Sequence, residues 1–315
     1  MRIAVMGAGA VGGYFGALLA KAGHEVALIA RGAHLEALKQ DGLSVEGPRG
    51  DWKVKTVATD NPAELDPVDV VLFCVKTYDT EDAGRAIKPL LARGGCCISL
   101  QNGVDSLERL TPVLGEGSVL PGLAFVSGVI DRPGVIRYVS AMSSLHYGEP
   151  DGAMSGRATA FRDICKAAGI GAVVEKDIRA AQWNKFVALA TNASLTSLIR
   201  APAGVIYHDP MLIGMARDAF SEVAAVGRAH GVDLPEDVVE KSMNVHKGFP
   251  RHMYASMYHD IARGRRMELE SLGGYVVKLG KQLGVPTPVH SFAYACLRPF
   301  VNGTPEILRE AAGAK

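Results

Sequence analysis

The chain has 315 residues, 48% of them hydrophobic, and its 34 lysines and arginines against 33 acidic residues leave a formal net charge of +1. That length and apolar content exceed what one core usually holds, which predicts two domains. The near-neutral balance excludes an electrostatic case for a nucleic-acid or membrane partner. Five cysteines, an odd number with no CxxC spacing, point to reduced thiols in a cytoplasmic protein, with Cys74, Cys96 and Cys97 as small core residues. No apolar run approaches about 18 residues and glycines interrupt the first one, so neither a membrane span nor a signal peptide is expected. The nine histidines show no metal-ligand spacing, and no metal site is expected.

In chain order, Ile3, Ala4 and Val5 give a buried parallel strand, followed by Gly7-Ala8-Gly9-Ala10-Val11-Gly12 and a helix-spaced stretch from Tyr14 to Ala22 that stops at Gly23. A glycine sextet alone is weak in a chain with 36 glycines. Set between a strand and a helix, it reads as the phosphate cradle of a dinucleotide-binding fold, with a plain βα turn as the alternative. Gly7 permits the tight turn, Gly9 lets the backbone approach a pyrophosphate, and Gly12 lets helix and strand pack closely. The helix N-terminus adds unpaired N–H groups and partial positive charge. The second strand, Glu25 to Ala30, ends at Arg31 with His34 close by, where NAD-selective sites usually carry an acidic residue. A guanidinium suits a 2′-phosphate and no carboxylate repels it, so the pattern favours NADPH/NADP+ over NADH. A solvated loop arginine is the bland alternative.

Val68 to Lys76 and Cys96 to Leu100 read as further buried parallel strands, ending at Lys76-Thr77 and Gln101-Asn102-Gly103. Ligands of open parallel sheets bind beyond the carboxyl ends of the strands, so both endings should face the cofactor. From Ser118 to Glu149 short strands and an Asp131-Arg132-Pro133-Gly134 turn predict antiparallel strands that extend the sheet. Helical periodicity then runs from Ile178 to Ile199, Met211 to His230 and Met267 to Leu283. The expected architecture is α/β, a Rossmann domain over 1–174 followed by an all-helical domain over 175–315.

Three polar groupings bear on chemistry. Lys185 shares a helical stripe with Leu189, Asn192 and Thr196, beside the apolar Phe186, Ala190 and Leu198. A lysine desolvated there can have a lowered pKa and protonate a carbonyl oxygen, although a helical lysine alone reads as a surface charge. Ser256 and Asp260 lie one turn apart, and Glu268 heads the next apolar helix, where helix capping explains a carboxylate equally well. Asn102 ends a strand in QNGVD, where Asn-Gly ordinarily marks a turn.

As a whole the sequence resembles the ketopantoate reductases, 2-dehydropantoate 2-reductases of the 6-phosphogluconate-dehydrogenase-like group. GAGAVGGYFG with Arg31 is similar to the family's cofactor site, VKTYD to its strand-end lysine at Lys76, and QNGVD to its asparagine loop. WNKF is similar to the motif of its catalytic lysine, and SMYHDIARGRRMELE to its substrate-binding serine-to-glutamate segment. The resemblance implies NADPH-dependent reduction of 2-dehydropantoate to (R)-pantoate, a step toward pantothenate and coenzyme A. It implies Lys185 as general acid, with Asn102, Ser256 and Glu268 toward the 2-oxo acid; Asn192, on the lysine's own helical stripe, is a further substrate candidate as the replacement for a family asparagine. Gly7, Ala8, Gly9, Ala10, Val11, Gly12, Arg31, Lys76 and Asn102 are then the cofactor contacts. Family members carry asparagines four and eight residues after the lysine; here those positions are Leu189 and Ala193. Two polar substrate contacts are thus missing, which opens the alternative of a different 2-oxo acid or carbonyl substrate. Helical second domains of the group often dimerise, so the resemblance allows a homodimer, with Pro288 to Phe300 reading equally as interface or core.

Overall fold

A computed structural model describes residues 1–139 and 143–313. Two compact units divide it, Met1–Ala181 and Gln182–Lys315. The first unit holds strands β1 (Arg2–Met6), β2 (Glu25–Ile29), β3 (Leu43–Glu46), β4 (Trp52–Val54), β5 (Val57–Thr59) and β6 (Val68–Phe73). It continues with β7 (Leu91–Ser99), β8 (Val119–Phe125), β9 (Gly128–Arg132), β10 (Val135–Tyr138), β11 (Ser144–Tyr147) and β12 (Gly171–Val174). Its helices are α1 (Ala10–Lys21), α2 (Gly32–Asp41), α3 (Thr80–Ile87), α4 (Ser106–Leu114) and α5 (Gly156–Ala167).

The main sheet has eight strands in the order β12-β11-β8-β7-β6-β1-β2-β5. From β5 to β8 all neighbours run parallel. Counted along the chain these six strands follow the 3-2-1-4-5-6 order of the Rossmann fold, whose crevice opens where β1 meets β6. Both faces are covered, which is why the strands read as continuous apolar runs. Alternation is still visible in the packing: Ile3, Val5, Val70, Leu72, Cys96 and Ile98 enter one core with Tyr14, Phe15 and Phe161. Ala4, Met6, Val71, Phe73 and Cys97 enter the other with Ala83, Ile87 and Leu110.

The Ser118 to Glu149 region departs from expectation. β8 continues the parallel sheet, and only β11 joins it antiparallel. β9 and β10 form a hairpin but belong to a separate four-stranded sheet, β4-β3-β10-β9, in which β10 runs parallel to β3. Turn chemistry identifies a hairpin, whereas its partner strand is decided by burial far along the chain. Ile136 and Tyr138 are buried against α1 and the ring of Trp52. A Cβ at Gly13 would lie 2.4 Å from Ile136 Cδ1, so the small sheet seats on the glycine face of α1.

The second unit is helical. Its elements are α6 (Ile178–Ile199), α7 (Ala203–Ile206), α8 (Pro210–Ala229), α9 (Val238–Lys247), α10 (Ser256–Ala262), α11 (Gly273–Leu283), α12 (Pro288–Leu297) and α13 (Glu306–Gly313). The division at 181/182 falls inside α6. The helix expected from Met267 starts only at Gly273, after a 3-10 turn at Leu269–Ser271. Paired glycines are poor helix formers, and Leu272, at φ −110° and ψ −107°, breaks the run before them. Consequently Glu268 precedes the 3-10 turn and makes no side-chain cap there. α12 buries His290, Ala293 and Leu297 as core and leaves Phe292 exposed. All five cysteines are free: Cys96, Cys97 and Cys165 are buried, Cys74 half-buried and Cys296 exposed. Burial pushes the thiols of Cys74 and Cys165 up to about 12 and that of Cys96 up to about 11. No described helix is long and apolar enough to cross a membrane.

Candidate active site

In the first unit the site begins at the end of β1. Gly7 has φ +93°, and a Cβ there would come within 2.9 Å of the Val75 nitrogen, so the β1–α1 turn admits only glycine. A Cβ at Gly12 would stand 2.4 Å from the Gly7 carbonyl oxygen and 2.7 Å from Val5 Cγ1, which fixes how closely α1 approaches the strand. At Gly9 a Cβ meets nothing within 4 Å. The glycines at both ends of the sextet serve packing, and the middle one leaves open space beside the backbone. Gly9 caps α1 without a side-chain hydrogen bond, and no acidic residue stands in the first turn. The N-terminal N–H groups and the positive end of the helix dipole are therefore not neutralised from within the helix. This arrangement fits the pyrophosphate of a dinucleotide.

Gly7, Ala8 and Gly9 line a cleft of about 260 Å³ together with Met6, Ile29, Ala30, Arg31, His34, Val75, Asp79 and Ile130. Ala10, Val11 and Gly12 open α1 behind this lining. Arg31, the exposed N-cap of α2, places its guanidinium 3.5 Å from Asp79. Lys76 caps the 3-10 turn Thr77–Asp79 and is half-buried, as is Asn102 beyond β7. Gln101, expected only as part of a strand ending that faces the cofactor, has a definite structural role. Buried Gln101 donates from Nε2 to the Val75 carbonyl at 3.1 Å and to Thr80 Oγ1 at 2.9 Å, while Ser99 Oγ donates to its Oε1. Gln101 thus ties the ends of the two strands that carry Lys76 and Asn102. A buried polar residue at the carboxyl end of a parallel strand was the available signal.

In the second unit Lys185 lies on α6, half-buried, next to the buried Trp183 and Phe186, whose rings meet edge to face at 5.4 Å. Burial lowers its pKa from the usual lysine value to about 8. Leu189, one turn on, is half-buried, and Ala193 is buried. Asn192 is buried too, and its Oδ1 accepts a hydrogen bond from Tyr207 Oη at 3.1 Å. The segment after Glu268 runs along the same helix. Tyr275 packs edge-on against Phe186 at 6.4 Å, and Gly273 abuts Ser194 so closely that a Cβ would lie 2.6 Å from Ser194 Oγ. Glu268 itself is buried at 5% exposure. Ser256 is the exposed first residue of α10, and its sequence neighbours Tyr254 and Tyr258 stack directly on each other with ring centroids 3.8 Å apart. Among the described residues no cluster of histidine, cysteine and acidic side chains could hold a metal ion.

Two family models cover most of the chain: one described as "Ketopantoate reductase PanE/ApbA" matches residues 3–152, and its C-terminal counterpart matches 177–301. The chain belongs to the ketopantoate reductase family. A 2-dehydropantoate 2-reductase of Archaeoglobus fulgidus is 32% identical over 302 residues, 96% of this chain and 98% of that protein. The crystal structure of a PanE/ApbA family ketopantoate reductase from Ralstonia eutropha JMP134 superposes with a TM-score of 0.89 at 35% identity, covering 96% of this chain and 98% of that one. D-mandelate dehydrogenase, solved with NADH and anilino(oxo)acetate, shares the fold with a TM-score of 0.86 at 22% identity, over 96% and 98% of the two chains. This ketopantoate reductase family member is thus an oxidoreductase acting on a CH–OH/C=O group of a small molecule, with a pyridine nucleotide as redox partner.

Proposed function

We propose that this reductase converts 2-dehydropantoate to (R)-pantoate with NADPH, using Lys185 as the general acid. The observation that carries the proposal is the desolvated ammonium of Lys185, whose pKa of about 8 keeps it mostly protonated at neutral pH yet willing to release a proton. Bound NADPH would supply the hydride to the C2 carbonyl carbon. Lys185 Nζ delivers the proton to the oxygen as negative charge develops there. Glu268 accepts a hydrogen bond from the distal hydroxyl of the substrate, Ser256 binds its carboxylate, and Asn102 orients the reacting groups. Tyr207 already holds the Asn192 carbonyl oxygen, so a substrate contact from Asn192 is made by its amide N–H. On the nucleotide side Gly7 to Gly12 cradle the pyrophosphate, Lys76 supports it, and Arg31 binds the 2′-phosphate. The preference for NADPH rests on Arg31 and on β2 ending without a carboxylate.

A second reading is favoured by Leu189 and Ala193. Both are apolar at positions where the family resemblance implies asparagines, and a site without those amides selects less strongly for a polar hydroxy acid. The same fold serves an aromatic 2-oxo compound and NADH in D-mandelate dehydrogenase, so architecture alone selects neither substrate nor cofactor. Oxidation of NADPH and NADH by the purified protein, with 2-dehydropantoate beside 2-oxo acids lacking its hydroxyl, separates the two readings. NADPH-selective turnover of 2-dehydropantoate, lost in Lys185→Ala, supports the first. Faster turnover of a hydroxyl-free 2-oxo acid replaces it with the second.

A further inference from the structure

His34 sits on α2, half-buried, and its ring bridges two other elements of the first unit. Its Nε2–H donates to the Ala8 carbonyl at 2.9 Å, and its Nδ1 accepts from the Gly134 N–H at 3.1 Å. These partners fix a single neutral tautomer, because a backbone carbonyl only accepts and a backbone N–H only donates. Gly134 is itself anchored, for its carbonyl accepts from the Ser44 N–H at 2.9 Å. The imidazole is therefore hung from the small sheet and grips the glycine-rich loop.

The grip falls on one particular peptide group. Ala8 N–H already donates to the Ile29 carbonyl at 2.9 Å, so with His34 both backbone polar groups of Ala8 are committed. In a planar trans peptide the C=O and the following N–H point in opposite directions. Holding the Ala8 carbonyl toward His34 thus holds the Gly9 N–H away from it, at the residue that faces open space. A rotated Ala8–Gly9 peptide would turn a carbonyl oxygen where an anion needs a donor. We propose that His34 is a positioning residue for nucleotide binding, fixing the Ala8–Gly9 peptide so that the Gly9 N–H is presented to the pyrophosphate; this rests on the dinucleotide reading of the cleft.

The strap needs the uncharged ring. A second proton on Nδ1 would face the Gly134 N–H, removing the acceptor and setting two donors against each other. Burial also disfavours the cation and lowers the pKa of His34, with the Ala8 hydrogen bond acting in the opposite sense. Arg31 and Asp79 line the same cleft as His34 and pair with each other, and the charged groups preceding Gly134 on β9, Asp131 and Arg132, pair with Arg137 and Glu46.

The test is a fluorescence titration of NADPH into the full-length protein, wild type, His34→Gln and His34→Ala, from about pH 5.5 to about pH 8. Glutamine offers one donor and one acceptor and does not titrate. His34→Ala should raise the NADPH dissociation constant about tenfold at neutral pH, the scale of one well-placed hydrogen bond, and parallel steady-state assays should show the loss in KM with kcat unchanged. His34→Gln should recover most of that loss and should lack the acid weakening that the wild type adds to the titration of the 2′-phosphate. Unchanged affinity in His34→Ala, or identical acid limbs in wild type and His34→Gln, overturns the strap while the nucleotide site stands. Absence of NADPH binding by the wild type overturns both readings together.

Discussion

The glycine-rich end of the first unit and the Lys185 face of the second differ in what the proposed function asks of them. In the first the proposal assigns binding to the backbone, and side chains matter chiefly by being absent or by holding a peptide group still. In the second it assigns the chemistry to a side chain, and burial sets that side chain's proton affinity. The packing glycines Gly7 and Gly12 tolerate no added atoms, whereas a side-chain site tolerates neighbours of many shapes as long as they exclude water. Binding and chemistry should therefore fail separately when each is damaged.

The largest expected effect sharpens that separation. Lys185→Ala should lower turnover about 10²-fold or more while leaving the nucleotide dissociation constant unchanged, checked by steady-state kinetics beside NADPH titration. In the wild type, reduction should slow as pH rises through about 8, because Lys185 then loses the proton it donates. Gly12→Ala is the mirror experiment. Its methyl group would stand 2.4 Å from a backbone oxygen that cannot swing aside, so nucleotide affinity should fall roughly ten- to hundredfold, read by the same titration. A Gly12→Ala protein that binds NADPH normally would break the claim that this end of the molecule is intolerant. Arg31→Ala should cost roughly tenfold in KM for NADPH with little change for NADH, since its guanidinium is exposed and already paired with Asp79.

A further prediction concerns stability within the helical unit. His246 is buried among Tyr207, Phe220 and Phe249, and burial lowers its pKa from 6.5 to about 4. The unfolded chain binds that proton first on acidification, so stability should decline as pH falls from about 6.5 to about 4. Thermal melts across that window should show the decline for the wild type and a flatter profile for His246→Phe.

Much of the first unit was legible because its determinants are local. A strand, a glycine sextet and a helix lie within about 20 residues of one another, and each glycine has a steric reason that sequence context supplies. The small sheet was not legible, because pairing Ser44 with Val135 depends on which surfaces α1 leaves uncovered. His34 stood in view beside Arg31, yet its role depends on Gly134, a hundred positions away. In the second unit periodicity located α6 and α8, but the start of α11 turned on the glycine pair and the non-helical backbone of Leu272. The apolar neighbours of Lys185 allowed desolvation but did not decide it against a surface charge, a choice that came from the family resemblance; the Tyr207 bond to Asn192 was not legible at all, since it joins α6 to the residue that ends α7.

The cysteine distribution makes the chain a reporter of its own opening. Cys296 alone is exposed, and burial suppresses the thiolates of Cys74, Cys96, Cys97 and Cys165. A thiol-reactive dye should therefore consume one equivalent at once and the remainder only as fast as the sheet breathes. Cys96 and Cys97 belong to β7, Cys74 directly follows β6, and Cys165 belongs to α5. Late labelling then clocks the opening of the Rossmann unit without any added probe, and saturating NADPH should slow that clock if the nucleotide binds only the closed form.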